Sequence, residues 1–273
     1  MSTLRVYDDL VQLTPEWFEV RRGIVTASVV KQIVTVGAPD ALAIGCSNCE
    51  AEAGDPCVSR ARKEPTPIKG IHDERLAAAK DLPPTYVPTI SEALVHFLAA
   101  ERVSGHVEET FPTRDMERGI LAEPYARDLY SKHYAPASEA GFMVRDFGDY
   151  ALGYSPDGVV GDDGLIEIKA PKQKGHLTTV VSDEVPSDHM AQCQAGLLVS
   201  GREWCDYVPY HGGLPLWRKR VTPDPAWQTA IHTAVAQVED AITEVVAKYK
   251  AAVEGLPATK RIDFNVVELK GIA

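Results

Sequence analysis

The chain of 273 residues is long enough to bury one sizeable core, with room for a small extra module. Its composition, 45% hydrophobic and 25% charged, is that of a globular protein, and no apolar run reaches the roughly 18 residues of a membrane span. The formal net charge of −11 argues against a nonspecific polyanion binder, but a local basic patch would still allow nucleic-acid binding.

The first residues, 1–17, lack the apolar segment of a signal peptide. We therefore expect a cytoplasmic protein that makes no membrane contact. Because thiols stay reduced in that compartment, clustered cysteines indicate metal binding more than disulfides.

The first predicted element is a short helix that Thr14 caps, with Pro15 at its first helical position. Gly23 ends this helix. The pattern "TASVVKQIV" then predicts a second short helix, capped by Thr26 or Ser28.

The segment 40–82 contains three of the chain's five cysteines. Cys-x-x-Cys is a common metal-binding turn, and two further soft ligands complete a tetrahedral Cys3His zinc site. The predicted ligands of this structural Zn²⁺ are Cys46, Cys49, Cys57 and His72. The segment is too polar to bury a core, so a metal explains how it folds. The alternative is a disordered loop with incidental cysteines.

The same segment resembles short zinc-binding modules of actinobacterial proteins with the pattern CxxC…G-x-P-C…H-x-x-R. Its basic residues are Arg60, Arg62, Lys63 and Lys69. They form either a contact to the DNA backbone or an ordinary solvated charge run, and the sequence leaves both interpretations open.

Further along the chain, hydrophobic periodicity predicts the remaining elements. These are helices over 89–105, 116–134 and 187–201, strands and turns over 141–171, a strand over 204–211 and a long helix over 224–255. Asp224 caps the last helix and Gly255 ends it. Cys193 and Cys205 are expected to be buried as small apolar side chains. The histidines His176, His189 and His211 have no convincing partners in the sequence.

The stretch "GYSPDGVVGDDGLIEIKAP" predicts two strands joined by a Gly-Asp-Asp-Gly hairpin turn. Side chains alternate along a strand, so Glu167 and Lys169 share one face and the isoleucines beside them share the other. Asp157, on the partner strand or at its bend, lies within reach of Glu167. Two carboxylates and one amine on a face suit a divalent cation such as Mg²⁺, while the ordinary alternative is a solvent-facing hairpin.

The spacing of Ser-Pro-Asp157 and Glu167-Ile-Lys169 resembles the signature of the PD-(D/E)XK nuclease superfamily. The surrounding motifs are similar to those of lambda-exonuclease-like phage recombination exonucleases, the YqaJ family. Those motifs, in the order of the family, are "EWFEVRRGIVTAS" (16–28), "GILAEPYARDLY" (119–130) and "HMAQCQAGLLVSG" (189–201).

The resemblance implies a site for Mg²⁺ or Mn²⁺. Its implied ligands are Glu123, Asp157, Glu167 and the main-chain carbonyl of Ile168. Lys169 is implied to be the catalytic lysine, with Gln192 in contact with it or the substrate; Gln194 is the other candidate. The residue after Glu123 is a proline, so either the helix begins near Ile120 or it is kinked.

Residues 17–28 suit a phosphate on their chemistry alone, because Arg21 or Arg22 offers a guanidinium fork beside hydroxyl groups. The ordinary alternative is two N-caps and two surface charges. Aligned on the family motif, Arg21, Thr26 and Ser28 are implied to bind the 5′ phosphate of a DNA end, with Trp17 packed nearby.

We therefore expect an α/β protein with a PD-(D/E)XK (restriction-endonuclease-like) core, a mixed central sheet flanked by helices. The expected nuclease domain comprises 1–39 and 83–273, with the zinc insert at 40–82. The resemblance implies Mg²⁺-dependent 5′-to-3′ degradation of linear double-stranded DNA, which leaves 3′ single-stranded tails for recombination. It also implies a single-strand annealing protein as partner, a ring-shaped homo-oligomer, and the host cytosol as location for a phage-encoded protein. A structure-specific or site-specific endonuclease and a non-catalytic DNA-end-binding protein are the alternatives.

Overall fold

The structure, a computed structural model, describes residues 2–36, 41–59, 65–80, 82–87, 89–108 and 113–262. The α-helices in these ranges are α1 (Pro15–Arg21), α2 (Asp73–Lys80), α3 (Glu92–Ser104), α4 (Arg114–His133), α5 (Gln173–Ser182), α6 (Ser187–Ser200) and α7 (Pro225–Ala252). Short 3₁₀ helices lie at Ala27–Gln32 and Ala41–Ala43. None of the helices described has the length and apolar character needed to cross a membrane.

The strands are short, and most belong to two sheets. They are β1 (Thr3–Tyr7), β2 (Val25–Thr26), β3 (Val34–Thr35), β4 (Val58–Ser59), β5 (Thr66–Pro67), β6 (Thr85–Tyr86), β7 (Phe142–Asp146), β8 (Ala151–Tyr154), β9 (Gly158–Val160), β10 (Gly164–Lys169), β11 (Trp204–Pro209) and β12 (Lys219–Val221).

Both four-stranded sheets are mixed, which confirms the predicted α/β class with mixed sheets. The first has the order β1-β7-β8-β2, in which only β2 and β8 run parallel among the pairs described. The second has the order β12-β11-β10-β9, with β10 and β11 parallel. The chain passes from one sheet to the other through Ser155–Pro156–Asp157, where Pro156 supplies no N–H for a ladder.

The predicted hairpin is confirmed as β9 and β10, which pair antiparallel with Val160 opposite Gly164. The turn begins at Gly161, which adopts a positive φ of 53°. Gly164 is required for a different reason, since a Cβ there would lie 2.2 Å from the Trp204 ring. The turn and the close packing together fix the register of β10, the strand that carries Glu167 and Lys169.

The core lies on both sides of the second sheet. Helices α3, α6 and α7 bury the larger part of the core, with Leu165, Tyr207 and Val238 among its members. Helix α4 covers the opposite face, where Tyr130 packs with Ile166, and Ile168 lies in the same cluster. Helix α7 begins and is capped as predicted, since Asp224 accepts hydrogen bonds from the first N–H groups.

Two local features differ in detail from the expectations. The expected helix over "TASVVKQIV" is a 3₁₀ helix, and Thr26 is extended and paired with Gly153 in β8, without a side-chain cap bond. Helix α4 begins at Arg114, where the Thr113 side chain caps it, so Pro124 lies in the helix interior. Of the two alternatives for Pro124, the start near Ile120 is therefore excluded.

Candidate active site and metal centre

Strand β10 carries the charged cluster into the interior. The Glu167 carboxylate has no exposed surface and accepts hydrogen bonds from the Lys169 ammonium and, at 3.1 Å, from the Tyr154 hydroxyl. The predicted solvent-facing alternative for this hairpin is therefore wrong. A buried carboxylate needs such partners, because removing an unpaired charge from water is costly.

Asp157 lies at the end of the bend that joins the two sheets. Its Oδ2 accepts a 2.6 Å hydrogen bond from the main-chain N–H of Ile168. This bond holds the Asp157 carboxylate against the strand that carries Glu167 and Lys169, as the sequence predicted. The bend at Pro156, between β8 and β9, thus brings Asp157 next to the charged residues of β10.

The carboxyl groups of this cluster repel one another. Burial and the neighbouring Asp157 raise the pKa of Glu123, on α4, to about 8. Burial raises the pKa of Glu167 to about 7, and it raises that of Asp157 as well. Burial lowers the pKa of Lys169, but Glu167 and Asp157 outweigh it, so the net shift is upward and the ammonium is retained. A divalent cation among these oxygens would remove the repulsion, so the donor set fits Mg²⁺ or Mn²⁺.

Arg21 and Arg22 differ in their surroundings. The Arg21 guanidinium lies 3.8 Å from the centre of the Trp17 ring, and burial lowers its pKa to about 10 against the opposing effect of Glu101. Arg22 instead pairs with Glu19 and donates to the carbonyl of Gly105. Of the two arginines, the structure brings Arg21 to the predicted site.

Glu101 is a neighbour of Arg21 that the sequence analysis missed. It is buried and accepts a 2.6 Å hydrogen bond from the main-chain N–H of Gly23. The Trp17 indole donates to the Ser155 hydroxyl at 3.4 Å, which ties α1 to the bend beside Asp157. These contacts place the arginine pocket next to the carboxylate cluster.

One cavity of about 580 Å³ joins the two groups. The predicted residues that line it are Trp17, Arg21, Thr26, Ser28, Glu123, Asp157, Ile168, Lys169 and Gln192. Glu167 is not among the lining residues and lies behind Lys169, its hydrogen-bond partner. The Thr26 and Ser28 hydroxyl groups lie 3.2 Å apart in the cavity wall. Arg118, which the sequence analysis did not single out, also lines the cavity and donates two hydrogen bonds to the Ala170 carbonyl.

The two candidate glutamines of α6 occupy different environments. Gln192 lines the cavity. Gln194 is buried away from it, donates to the Thr222 carbonyl at 2.8 Å and accepts from the Asp224 N–H at 3.0 Å. Gln194 therefore fastens the start of α7, and Gln192 is the glutamine that faces the charged cluster.

Two of the histidines without predicted partners have partners in the structure. His189 also lines the cavity, and its Nδ1 lies 2.7 Å from the buried Tyr207 hydroxyl. The Nδ1 of His211 lies 3.0 Å from the Pro171 carbonyl. The Nε2 of His176 is buried without a hydrogen-bond partner in the described part of the chain. The sequence did contain one indication that His189 faces the cavity, since it lies one helical turn before Gln192 and residues so spaced share a helix face.

The predicted zinc ligands Cys46, Cys49, Cys57 and His72 form one cluster. Their ligand atoms all lie within 4.8 Å of one another, and the cysteines are buried. The Val58 N–H donates to the Cys49 sulfur and lowers the pKa of that thiol to about 6, which favours the thiolate that binds metal. This is the composition and spacing of a structural zinc site.

Arg75 organises the cluster, although the sequence analysis gave it no function beyond its place in the H-x-x-R pattern. Its guanidinium is fully buried, donates to the Cys57 sulfur at 3.5 Å, and donates to five main-chain carbonyls. These carbonyls belong to Ala41, Leu42, Ile44, Glu52 and Asp55. Of the basic residues predicted to form a local patch, Lys69 is exposed, while Arg60, Arg62 and Lys63 lie outside the described residues.

Two family models match adjoining parts of the chain. Residues 89–203 match the YqaJ-like viral recombinase domain. Residues 16–89 match a family described as "Putative DNA-binding phage zinc finger domain". The predicted resemblance to the YqaJ family is confirmed over the first of these segments, and the zinc module over the second. None of the curated proteins matches the chain.

Solved structures resemble the fold. LHK-Exo, an alkaline exonuclease from Laribacter hongkongensis, superposes with a TM-score of 0.61 at 26% identity, over 89% of this chain and 100% of its own. LHK-Exo in complex with dAMP gives the same TM-score at 25% identity and the same coverage. The site and these matches together support the predicted class of protein, a deoxyribonuclease.

Proposed function

We propose that this chain is a Mg²⁺-dependent exonuclease that degrades linear double-stranded DNA from its 5′ ends. The products would be 3′ single-stranded tails for phage-type homologous recombination. The observation that carries the proposal is the single cavity shared by the carboxylate–lysine cluster and the Arg21–Trp17 pocket. An enzyme that starts at a DNA end needs hydrolytic groups and end-recognition groups within reach of one another.

Mg²⁺ or Mn²⁺ would be held by Glu123, Asp157, Glu167 and the Ile168 carbonyl. All of these donors are hard oxygens, and burial raises the pKa values of all three carboxyls, with a further increase from neighbouring carboxylates for Glu123 and Glu167. When bound, the metal would polarise the scissile phosphate and lower the pKa of a bound water.

Lys169 would stabilise charge at the reacting phosphate. Because its pKa is raised, its ammonium is retained at neutral pH, and it would orient the attacking water and offset phosphate charge rather than remove a proton. The ion pair with Glu167 positions this ammonium. Gln192, on the same cavity wall, would contact Lys169 or the substrate.

Arg21 would bind the 5′ phosphate with Thr26 and Ser28. A terminal phosphate carries more charge than an internal diester, and a guanidinium fork recognises it through paired hydrogen bonds. Stacking on Trp17 holds the guanidinium in place, which limits the entropy lost on binding. LHK-Exo, whose fold this chain resembles, has been solved in complex with dAMP, which supports nucleotide binding by a protein of this fold.

The nuclease domain would comprise 1–39 and 83–273, with the zinc module at 40–82 as an insert. The ladder between Val34–Thr35 and Thr85–Tyr86 closes the base of that insert. The module would add DNA contacts outside the cavity, in agreement with the family that it matches. A single-strand annealing protein would take up the tails, a ring-shaped homo-oligomer would encircle the duplex, and the protein would act in the host cytosol.

Digestion of matched substrates tests the proposal. Wild-type protein in Mg²⁺ should degrade linear duplex and leave closed circular duplex intact. Glu167→Gln, which keeps the shape of the side chain and removes its charge, should bind DNA and leave both substrates intact. Cutting of closed circles would indicate an endonuclease, and binding of linear DNA without cutting by wild type would indicate an end-binding protein.

A further inference from the structure

His189 has a fixed orientation in the cavity wall. Its ring stacks on that of Tyr207, with centroids 5.3 Å apart and 28° between the planes. Its Nδ1 lies 2.7 Å from the Tyr207 hydroxyl. Tyr207 is only 1% exposed and pairs in register with Glu167 across the parallel strands β10 and β11. The histidine is thus attached to the strand pair that carries the proposed metal ligands.

The hydrogen bond determines which ring nitrogen carries the proton. The buried Tyr207 hydroxyl has one hydrogen to donate, and its only acceptor among the described residues is His189 Nδ1. If Nδ1 carried the proton, the phenol hydrogen would be buried without an acceptor, which costs about 1–3 kcal/mol. Nδ1 therefore accepts, and Nε2 carries the N–H.

The Nε2–H is left for a ligand. His189 lines the cavity, and its Nε2 is not buried and has no hydrogen-bond partner in the described part of the protein. The ring is held neutral, since burial and the nearby Lys169 lower the pKa of His189 to about 4, against the smaller effect of Asp188. The cavity that Lys169 and Gln192 also line thus presents a neutral, oriented N–H donor.

We propose that His189 donates its Nε2–H to a backbone phosphate oxygen of the DNA strand held in this cavity, and that Tyr207 fixes the tautomer required. The contact rests on the proposed function, because it supposes that the cavity takes a DNA end. A neutral donor suits this position, since Arg21, Lys31, Arg118 and Lys169 already supply positive charge to the cavity and a further cation would repel them. His189 is therefore a substrate-positioning residue, distinct from the metal ligands.

The tautomer is tested first, without activity. Nitrogen-15 NMR of the histidine side chains at pH 8 should show His189 as the neutral Nε2–H tautomer in wild type. Tyr207→Phe keeps the ring packing but removes the donor, so the signal should move toward a mixture of the two neutral tautomers. A wild-type spectrum of the Nδ1–H tautomer, or one unchanged by Tyr207→Phe, would overturn the assignment.

The DNA contact is tested with three proteins. Binding of a 5′-phosphorylated duplex end in EDTA should weaken on the order of tenfold in His189→Ala, because a hydrogen bond to a charged group is lost. His189→Gln places an amide N–H near the position of Nε2 and should recover most of the affinity. Equal affinity of His189→Ala and wild type, or failure of His189→Gln to exceed His189→Ala, would contradict the contact.

Cleavage in Mg²⁺ separates this inference from the proposed function. His189→Ala should raise KM more than it lowers kcat, since the contact positions the strand and supplies no chemistry. A wild type that binds ends through His189 without cleaving them would refute the proposed exonuclease and leave the His189 contact standing. A wild type that cleaves with no effect of His189→Ala on KM would refute the contact alone.

Discussion

At the scale of single residues, the buried ion pair of Glu167 and Lys169 sets the character of the site. The Glu167 side chain is completely buried, and its charge is compensated by the Lys169 ammonium and by a hydrogen bond from the Tyr154 hydroxyl. Buried ion pairs add little stability compared with apolar residues of the same shape. The pair is therefore better explained by chemistry at the cavity than by stability of the fold.

Raised carboxyl pKa values predict how stability varies with pH. Glu123 and Glu167 have pKa values of about 8 and 7 in the folded, metal-free protein, so the folded state holds more protons than the unfolded state. Stability of the metal-free protein should therefore fall as pH rises from about 5 to 8. Thermal unfolding in EDTA at pH 6 and pH 9 checks this, and Mg²⁺ should restore stability at pH 9.

The variant Glu123→Gln is the control for that experiment. It removes one titrating group, so its unfolding temperature should depend less on pH and respond less to Mg²⁺. A wild type that is equally stable at both pH values in EDTA would show that the pKa values of these carboxyl groups are not raised in the folded protein.

End recognition rests on a single guanidinium. Wild type should digest 5′-phosphorylated duplex about tenfold faster than 5′-hydroxyl duplex, because charge-assisted hydrogen bonds to a phosphate contribute about 1.5–3 kcal/mol. Arg21→Ala should remove most of this preference. Arg22→Ala is the matched control and should change it little, since Arg22 pairs with Glu19 outside the cavity. If wild type digested 5′-phosphorylated and 5′-hydroxyl duplex at equal rates, the assignment of Arg21 to a phosphate pocket would be wrong.

At the scale of secondary structure, the sequence predicted those elements whose start or turn is determined by neighbouring residues in the chain. The hairpin of β9 and β10 and the cap of α7 follow from turn glycines and an N-cap aspartate, which act locally. Helix α5 was not predicted from the sequence, and in the structure its Leu177 and Val181 are exposed. Strand β2 depends on pairing with β8, far along the chain.

Helix α6 carries two glutamines whose functions can be separated. Gln192→Ala should lower digestion of linear duplex and leave the unfolding temperature almost unchanged, because this side chain lines the cavity. Gln194→Ala should lower the unfolding temperature, because the Thr222 carbonyl and the Asp224 N–H lose their partner. The reverse pattern would show that Gln194 is the glutamine that serves the site.

The zinc module should fold around its metal. Purified protein should carry about one zinc per chain by elemental analysis, and Cys46→Ser or Cys57→Ser should lose it. Arg75→Lys keeps the charge but cannot bond the same carbonyls, so it should retain zinc less firmly against a chelator. Digestion should persist in part in these variants. Wild type without zinc, prepared without chelators, would contradict the assignment.

At the scale of the whole molecule, the cavity combines segments that are distant in sequence: α1, the 3₁₀ helix after it, α4, the β8–β10 region and α6. Motifs in the sequence identified a residue from each of these segments, because the chemistry of each motif is local. His189, Glu101 and Arg75 were missed as functional or organising residues because their partners come from other elements, and no short pattern encodes such contacts.

The formal net charge of −11 is compatible with DNA binding, because the charged residues are unevenly distributed around the site. Part of the formal negative charge belongs to Glu123, Asp157 and Glu167, which interact at the site. Bound divalent cations would offset this charge, and Arg21, Lys31, Arg118 and Lys169 line the same cavity. An acidic chain can therefore present a site suited to DNA.

The polarity of digestion tests the proposed function most directly. Linear duplex with 5′-phosphorylated ends, labelled at either the 5′ or the 3′ end of one strand, is incubated with wild type in Mg²⁺. Release of the 5′ label as a mononucleotide at early times, with the 3′-labelled strand persisting as a single-stranded tail, is the predicted result. Early release of the 3′ label, or labelled fragments from internal cuts, would contradict 5′-to-3′ degradation from an end held at Arg21.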